Sequence, residues 1–144
     1  MRKGENAVQQ TLSRLRSING LVAATLVEAD SAHVLETVVV DGPAETFSTS
    51  ADAATTTVGA AASDVVQVIG LMAASLGEPD ELEDVIVTLG RRHHLITPVP
   101  AAGIDGLIIV VTLDRARTNL AMARQQLRAL GPLLEAATAP SRVS

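Results

Sequence analysis

Val58-Gly59-Ala60-Ala61-Ala62-Ser63-Asp64-Val65-Val66-Gln67-Val68-Ile69-Gly70-Leu71-Met72-Ala73-Ala74-Ser75-Leu76-Gly77 is the stretch on which the reading of this chain turns. Val58, Ala62, Val65, Ile69, Met72 and Leu76 recur at spacings of four and three, the period of one helix face. A helix is expected from about Asp52 to Leu76, with Asp52 or Ser50 as its N-cap. Gly77 and Pro79 stop it. The six-residue stripe is expected to face a sheet. The remainder of the helix is also apolar. Val66, Val68 and Leu71 fall at about 80°, 280° and 220° from Val58 at ~100° per residue. Asp64 is the only charge between Ala53 and Gly77. A helix apolar nearly all round is buried on more than one side, and a chain of 144 residues has no further layer to spare for it. A partner subunit resolves the conflict. A membrane span is the other reading of such a stretch. Asp64 near its middle would cost roughly 3 kcal/mol there, and no Lys or Arg anchors its flanks, so no membrane insertion is expected.

The elements around this helix come in pairs. Upstream, Val8, Leu12 and Leu15 line one face of a helix from about Asn6 to Ser17, with Asn6 as the expected N-cap and Gly20 beyond its end. Leu21 to Val27 is an apolar run that reads as a strand covered on both faces. It returns after Glu28-Ala29-Asp30-Ser31 as the β-branched segment His33 to Val40, a hairpin stopped by Asp41-Gly42-Pro43. Downstream, Val85 to Leu89 and His94 to Val99 flank the turn Gly90-Arg91-Arg92, with Pro98 favouring an edge or strand end. Gly106 to Leu113 is apolar throughout and is expected at the centre of the sheet. Asp114 is expected to cap a third helix. That helix has Ala116, Leu120, Ala123, Leu127 and Leu130 on its apolar side, and Gly131-Pro132 ends or kinks it.

The order α-β-β-α-β-β-β-α implies an α/β (α+β) three-layer sandwich. It has a five-stranded, mostly antiparallel sheet, the second helix on one face and the first and third on the other. Residues 6–139 are expected to form one domain, between a flexible leader (1–5) and a flexible tail (140–144).

Composition removes several function classes. Cysteine is absent, so disulfides, iron–sulfur clusters and cysteine zinc sites are excluded. Phe47 is the sole aromatic residue, which disfavours sites that stack sugars or bases. The net charge of −5 and pI of about 5.1 give no basic footprint for nucleic acid. The only lysine is Lys3, and no G-x-x-x-x-G-K-[ST] loop, G-x-G-x-x-G or G-x-S-x-G motif occurs. No apolar core of a signal peptide follows the N-terminus.

Few residues offer chemistry. His93 and His94 are adjacent, and neighbours on a strand point to opposite faces, so they do not form a metal pair. They read as turn histidines in solvent. Arg91-Arg92 at a hairpin, and Arg117, Arg124 and Arg128 within about 40° of one another on the third helix, could meet an acidic partner surface. The preferred reading is a solvated flank beside the apolar stripe. The acidic run Glu78 to Asp84 lacks a calcium-loop pattern and reads as a solvated loop.

Two segments resemble the Roadblock (dynein light chain) family of the Roadblock/longin superfamily. Ile18-Asn19-Gly20-Leu21-Val22-Ala23-Ala24-Thr25-Leu26-Val27 is similar to its opening strand. Leu107-Ile108-Ile109-Val110-Val111 with Thr118-Asn119-Leu120-Ala121-Met122-Ala123-Arg124 is similar to its apolar strand and "N-L-G-x-A-R" segment. The likeness extends over about residues 7–137. It departs at Ala121 (a small Gly in the family), at the turn Asp30-Ser31-Ala32, and in a longer segment from Asp41 to Ser50. The resemblance implies a bacterial, cytoplasmic homodimer joined through the second helix and third strand. The interface residues implied are Ala61, Asp64, Val65, Val68, Leu71, Met72, Val85 and Val87. It also implies a protein that regulates or scaffolds a small Ras-like GTPase, with no cofactor and no catalysis of its own. The alternatives are an enzyme with an unrecognised site around Asp64 or His94, and a ligand-sensing domain of similar architecture.

Overall fold

The computed structural model describes residues 3–40, 46–48, 53–77, 82–99 and 106–138. The elements in chain order are α1 (Lys3–Ser13), continued by a 3₁₀ turn (Arg14–Ser17), β1 (Leu21–Glu28), β2 (Val34–Val39), β3 (Thr46–Ser48), α2 (Ala53–Ser75), β4 (Val85–Thr88), β5 (Arg92–Val99), β6 (Leu107–Asp114) and α3 (Leu120–Thr138). One sheet of order β3-β2-β1-β6-β5-β4 holds all six strands, and every pairing is antiparallel. The five expected strands are all present. The sixth, β3, pairs with β2 from within the segment that is longer than the family pattern.

β6 lies between β1 and β5, and Leu107, Ile108, Ile109, Val110, Val111 and Leu113 are all buried. Its unbroken β-branched and aliphatic run suits a strand covered on both faces. One core joins Leu12 and Leu15 to Ala123, Leu127, Leu130 and Leu134 over Leu26, Leu95, Ile109 and Val111. The other joins Ala62, Val65 and Val66 to Val27, Ile96, Ile108 and Val110. Helices α1 and α3 therefore share one face and α2 has the other, a three-layer arrangement.

Several local expectations change. Helix α1 begins at Lys3, which puts Asn6 inside the helix rather than at its cap. Helix α3 begins at Leu120, where the Asn119 side chain accepts from the Met122 N–H at 3.1 Å. Asp114 instead closes the preceding turn by accepting from the Ala116 N–H at 3.1 Å. Ala116 is thereby outside the helix and exposed. Helix α3 continues through Pro132 to Thr138. Pro132 and Arg128, four residues earlier, are both exposed, so water can take the carbonyl that the proline cannot serve. The proposed caps Ser50 and Asp52 of α2, and most of the acidic run 78–84, lie outside the described residues.

The largest change concerns which face of α2 is inward. Gly59, Ala62 and Ser63 are buried and Val65, Val66 and Ile69 half-buried, whereas Val58, Met72 and Leu76 are exposed. The helix seats on the sheet through small residues because these allow the closest backbone approach. A Cβ on Gly59 would lie 3.0 Å from the Ala32 carbonyl oxygen and 3.0 Å from Val34 Cγ2.

Candidate functional site

Antiparallel partners share a face of the sheet. Val85 opposite Ile96 and Val87 opposite His94 therefore point toward the α2 side. β4 is the last strand of the sheet, and among the described residues nothing pairs with its outer edge. A short strand of apolar residues with free backbone groups at a sheet edge is a template for another chain.

The outer surface of α2 lies on the same side. Val68, Leu71 and Met72 are 61%, 69% and 54% exposed. Val58, Leu76, Ile86, Val87 and Leu89 are also exposed, while Val85 is half-buried. Ala61 and Asp64 lie on the outer face of the helix and Val65 at its flank. Single exposed apolar side chains are ordinary, but a contiguous set on one helix beside an open strand edge marks an interaction surface. Residues Thr57–Ser75 are also long and apolar enough to cross a membrane by length and composition alone. In this fold the helix is docked on the sheet by Ala62 and by the Ser63 hydroxyl, which donates to the Ala29 carbonyl.

The arginines divide into two sets. Arg91, Arg92 and Arg117 gather at one end of the sheet, on the β4–β5 turn, the first position of β5 and the turn after β6. Arg117 precedes α3 instead of lying on it, because the helix starts three residues later. It lines a cleft of about 340 Å³ together with Arg16, Gly20 and Asp114. Arg91 and Arg115 line a second of about 470 Å³, to which Asp114 also contributes. Arg124 and Arg128 are engaged elsewhere. Arg124 donates from Nε to Asp84 Oδ2 at 2.8 Å and from Nη2 to Oδ1 at 3.3 Å. Its guanidinium pKa is raised by that hydrogen bond and by the charge of Asp84. Arg128 stands 3.8 Å from Glu83. The Arg124–Asp84 pair ties α3 to the segment leading into β4, while the Arg128–Glu83 contact is long and exposed and adds little. Sequence periodicity could align the arginines but could not find their acidic partners, about 40 residues away in the chain.

The histidines belong to β5, not to a turn, since the strand begins at Arg92. His93 Nδ1 lies 3.1 Å from Thr88 Oγ1, and His94 Nδ1 lies 3.0 Å from Thr112 Oγ1. Both rings are half-buried. The His94 pKa is lowered, first by burial, then by the charges of Arg92 and His93. Asp64 is exposed on the outer face of α2. Neither it nor His94 lines the two arginine clefts or a third, of about 280 Å³, between α3 and β5. No group of three or more His, Asp or Glu side chains that could hold a metal occurs among the described residues.

No family model and no curated protein matches the chain. Solved structures do. MglB of Myxococcus xanthus superposes with a TM-score of 0.72 at 15% identity, over 94% of this chain and 90% of that one. The gliding protein MglB of Thermus thermophilus superposes at 0.73 and 14%, over 96% and 93%. A Roadblock/LC7 domain from Streptomyces avermitilis superposes at 0.63 and 15%, over 84% and 88%. The chain thus has the Roadblock-like α+β fold that its sequence resemblance implies.

Proposed function

We propose that this chain is a non-catalytic interaction module that pairs with a second copy of itself and binds a small Ras-like GTPase, which it regulates or scaffolds in the cytoplasm. The observation that carries the self-association is the apolar outer face of α2 beside the open edge of β4. Burial of such area stabilises by roughly 25 cal/mol per Å², and an added strand would satisfy the edge hydrogen-bonding groups. The GTPase partner is supported by the sequence resemblance to the Roadblock family, together with the fold shared with MglB.

The test has two parts. Light scattering at micromolar concentration is expected to give twice the mass of the 14.9 kDa chain. Affinity co-purification from the native lysate, with GDP or a non-hydrolysable GTP analogue, is expected to recover a small GTPase preferentially in one nucleotide state. A monomer removes the first half of the proposal. Recovery of no GTPase with either nucleotide removes the second.

A further inference from the structure

We infer that, in the self-association proposed above, Arg91 of one protomer meets Glu83 of the partner subunit, twice per dimer, and that this pair fixes the register in which the two β4 edges join. A two-fold interface across a sheet edge brings a strand against its own copy, and the two-fold axis makes that pairing antiparallel. Antiparallel partners share a face of the sheet, so the two-fold sets Val85 opposite Val87 or Leu89 of the partner subunit. With the axis on Val87, Val85 stands opposite Leu89 of the partner subunit, and the turn just beyond that residue, which carries Arg91, comes beside Glu83 at a spacing that two long side chains bridge. With the axis on Ile86 the strands slip by two residues, about 7 Å, and the guanidinium is carried past the carboxylate, so the pair distinguishes the two registers.

The ends of β4 carry opposite charge. Before it, Glu78, Asp80, Glu81, Glu83 and Asp84 fill five of seven positions; after it come Arg91 and Arg92. Antiparallel self-pairing matches these ends, each acidic end meeting a basic one. The apolar residues Val85, Ile86, Val87 and Leu89 fix which face the two strands share, but registers that differ by two residues keep that face, so these residues alone do not choose between them. The charges supply the choice.

Both groups are available and both are held at fixed points. Arg91 is exposed, and no carboxylate among the described residues pairs with it. Its turn is closed by the Leu89 N–H donating to the Arg92 carbonyl at 2.8 Å and the Arg115 N–H donating to the Arg91 carbonyl at 2.9 Å. The Glu83 side chain is 79% exposed, and its contact with Arg128 is long at 3.8 Å. The neighbouring Asp84 is gripped by Arg124, which anchors the backbone from which Glu83 projects.

Sedimentation of the full chain tests this with R91E, E83R and the double variant R91E/E83R. Each single reversal puts like charges together at two symmetric points and is expected to raise the dimer Kd roughly tenfold. The double variant restores opposite charges and is expected to return to within about threefold of the starting Kd. Raising NaCl from about 0.05 M to about 0.5 M is expected to weaken the unmodified dimer and to strengthen the single variants. Circular dichroism melts verify that each variant is folded. An unmodified chain that dimerises while the singles dimerise equally well overturns the register clamp alone. A double variant no tighter than the weaker single does the same. An unmodified chain that sediments as a monomer overturns the clamp together with the self-association on which it rests.

Discussion

The Ser63 hydroxyl of α2 donates to the main-chain carbonyl of Ala29, 34 residues earlier in the turn just after β1. Ser63 is 4% exposed, so the bond is sheltered from water at a point where small side chains let the helix approach the sheet. Removing the hydroxyl leaves the Ala29 carbonyl with a lost partner in a site that admits little solvent. Ser63→Ala is expected to cost about 1–2 kcal/mol, read as a lower urea midpoint with unchanged slope. An unchanged midpoint would show that water replaces the serine.

Two glycines on the same helix are expected to respond in opposite ways. A Cβ on Gly59 meets the Ala32 carbonyl and Val34 at the limit of contact, while one on Gly70 meets nothing within 4 Å. Gly59→Ala must push α2 off the β1–β2 hairpin and is expected to destabilise by ~1 kcal/mol or more. Gly70→Ala restricts the unfolded chain without a clash and is expected to stabilise by about 0.5–1 kcal/mol. Thermal melts of the two variants should move in opposite directions.

The start of α3 supplies a third expectation. Asn119, rather than Asp114, accepts from a first-turn N–H of the helix. Asn119→Ala is expected to cost about 1 kcal/mol of stability, measured by denaturant titration. Asn119→Asp, which keeps an acceptor and adds favourable charge at a helix N-terminus, should retain the stability.

The sequence exposed its layers well and its contacts poorly. The strands were legible because their β-branched runs are separated by turns, and α2 because its apolar period is long and sharply ended. The inward face of α2 was not, since ranking by hydrophobicity selects Met72 and Leu76, while close approach selects Gly59, Ala62 and Ser63. Strand β3 has only three residues, too few to show a period. The surplus apolar surface of α2 pointed to an interaction face from composition alone. That β4 lies at the sheet edge follows from pairing order, which no local pattern encodes. The pairing of Arg124 with Asp84 likewise exists only once α3 lies across the β4–β5 hairpin.

His94 gives the fold a dependence on pH. Burial, Arg92 and His93 lower its pKa below the ordinary 6.5. The unfolded chain, with His94 at its ordinary value, therefore takes up a proton before the folded chain does. Stability from this group is full above pH 6.5 and declines as pH falls through 6.5 toward the lowered folded value. His94→Gln, which cannot titrate, is expected to lose stability less steeply between pH 7.5 and about 5. Parallel slopes for the two proteins, by denaturant melts across that range, would assign the pH dependence to other groups.

Charge placed on the outer face of α2 separates folding from association. Val68 and Leu71 are more than half exposed in the single chain, so replacing them removes little that the isolated domain buries. Surface changes of this kind typically alter stability by less than about 0.5 kcal/mol. In the proposed dimer the same side chains are central and dry, where an unpaired charge has no compensation. Truncation at such a centre costs about 2 kcal/mol or more, which is ~30-fold in Kd, and a buried charge costs more than truncation. Val68→Asp and Leu71→Lys are therefore expected to yield folded monomers, with an unchanged circular dichroism spectrum and half the mass by light scattering. If instead both variants unfold, α2 has a structural duty on its outer face within one chain. If both remain dimeric, the two copies meet through a different surface.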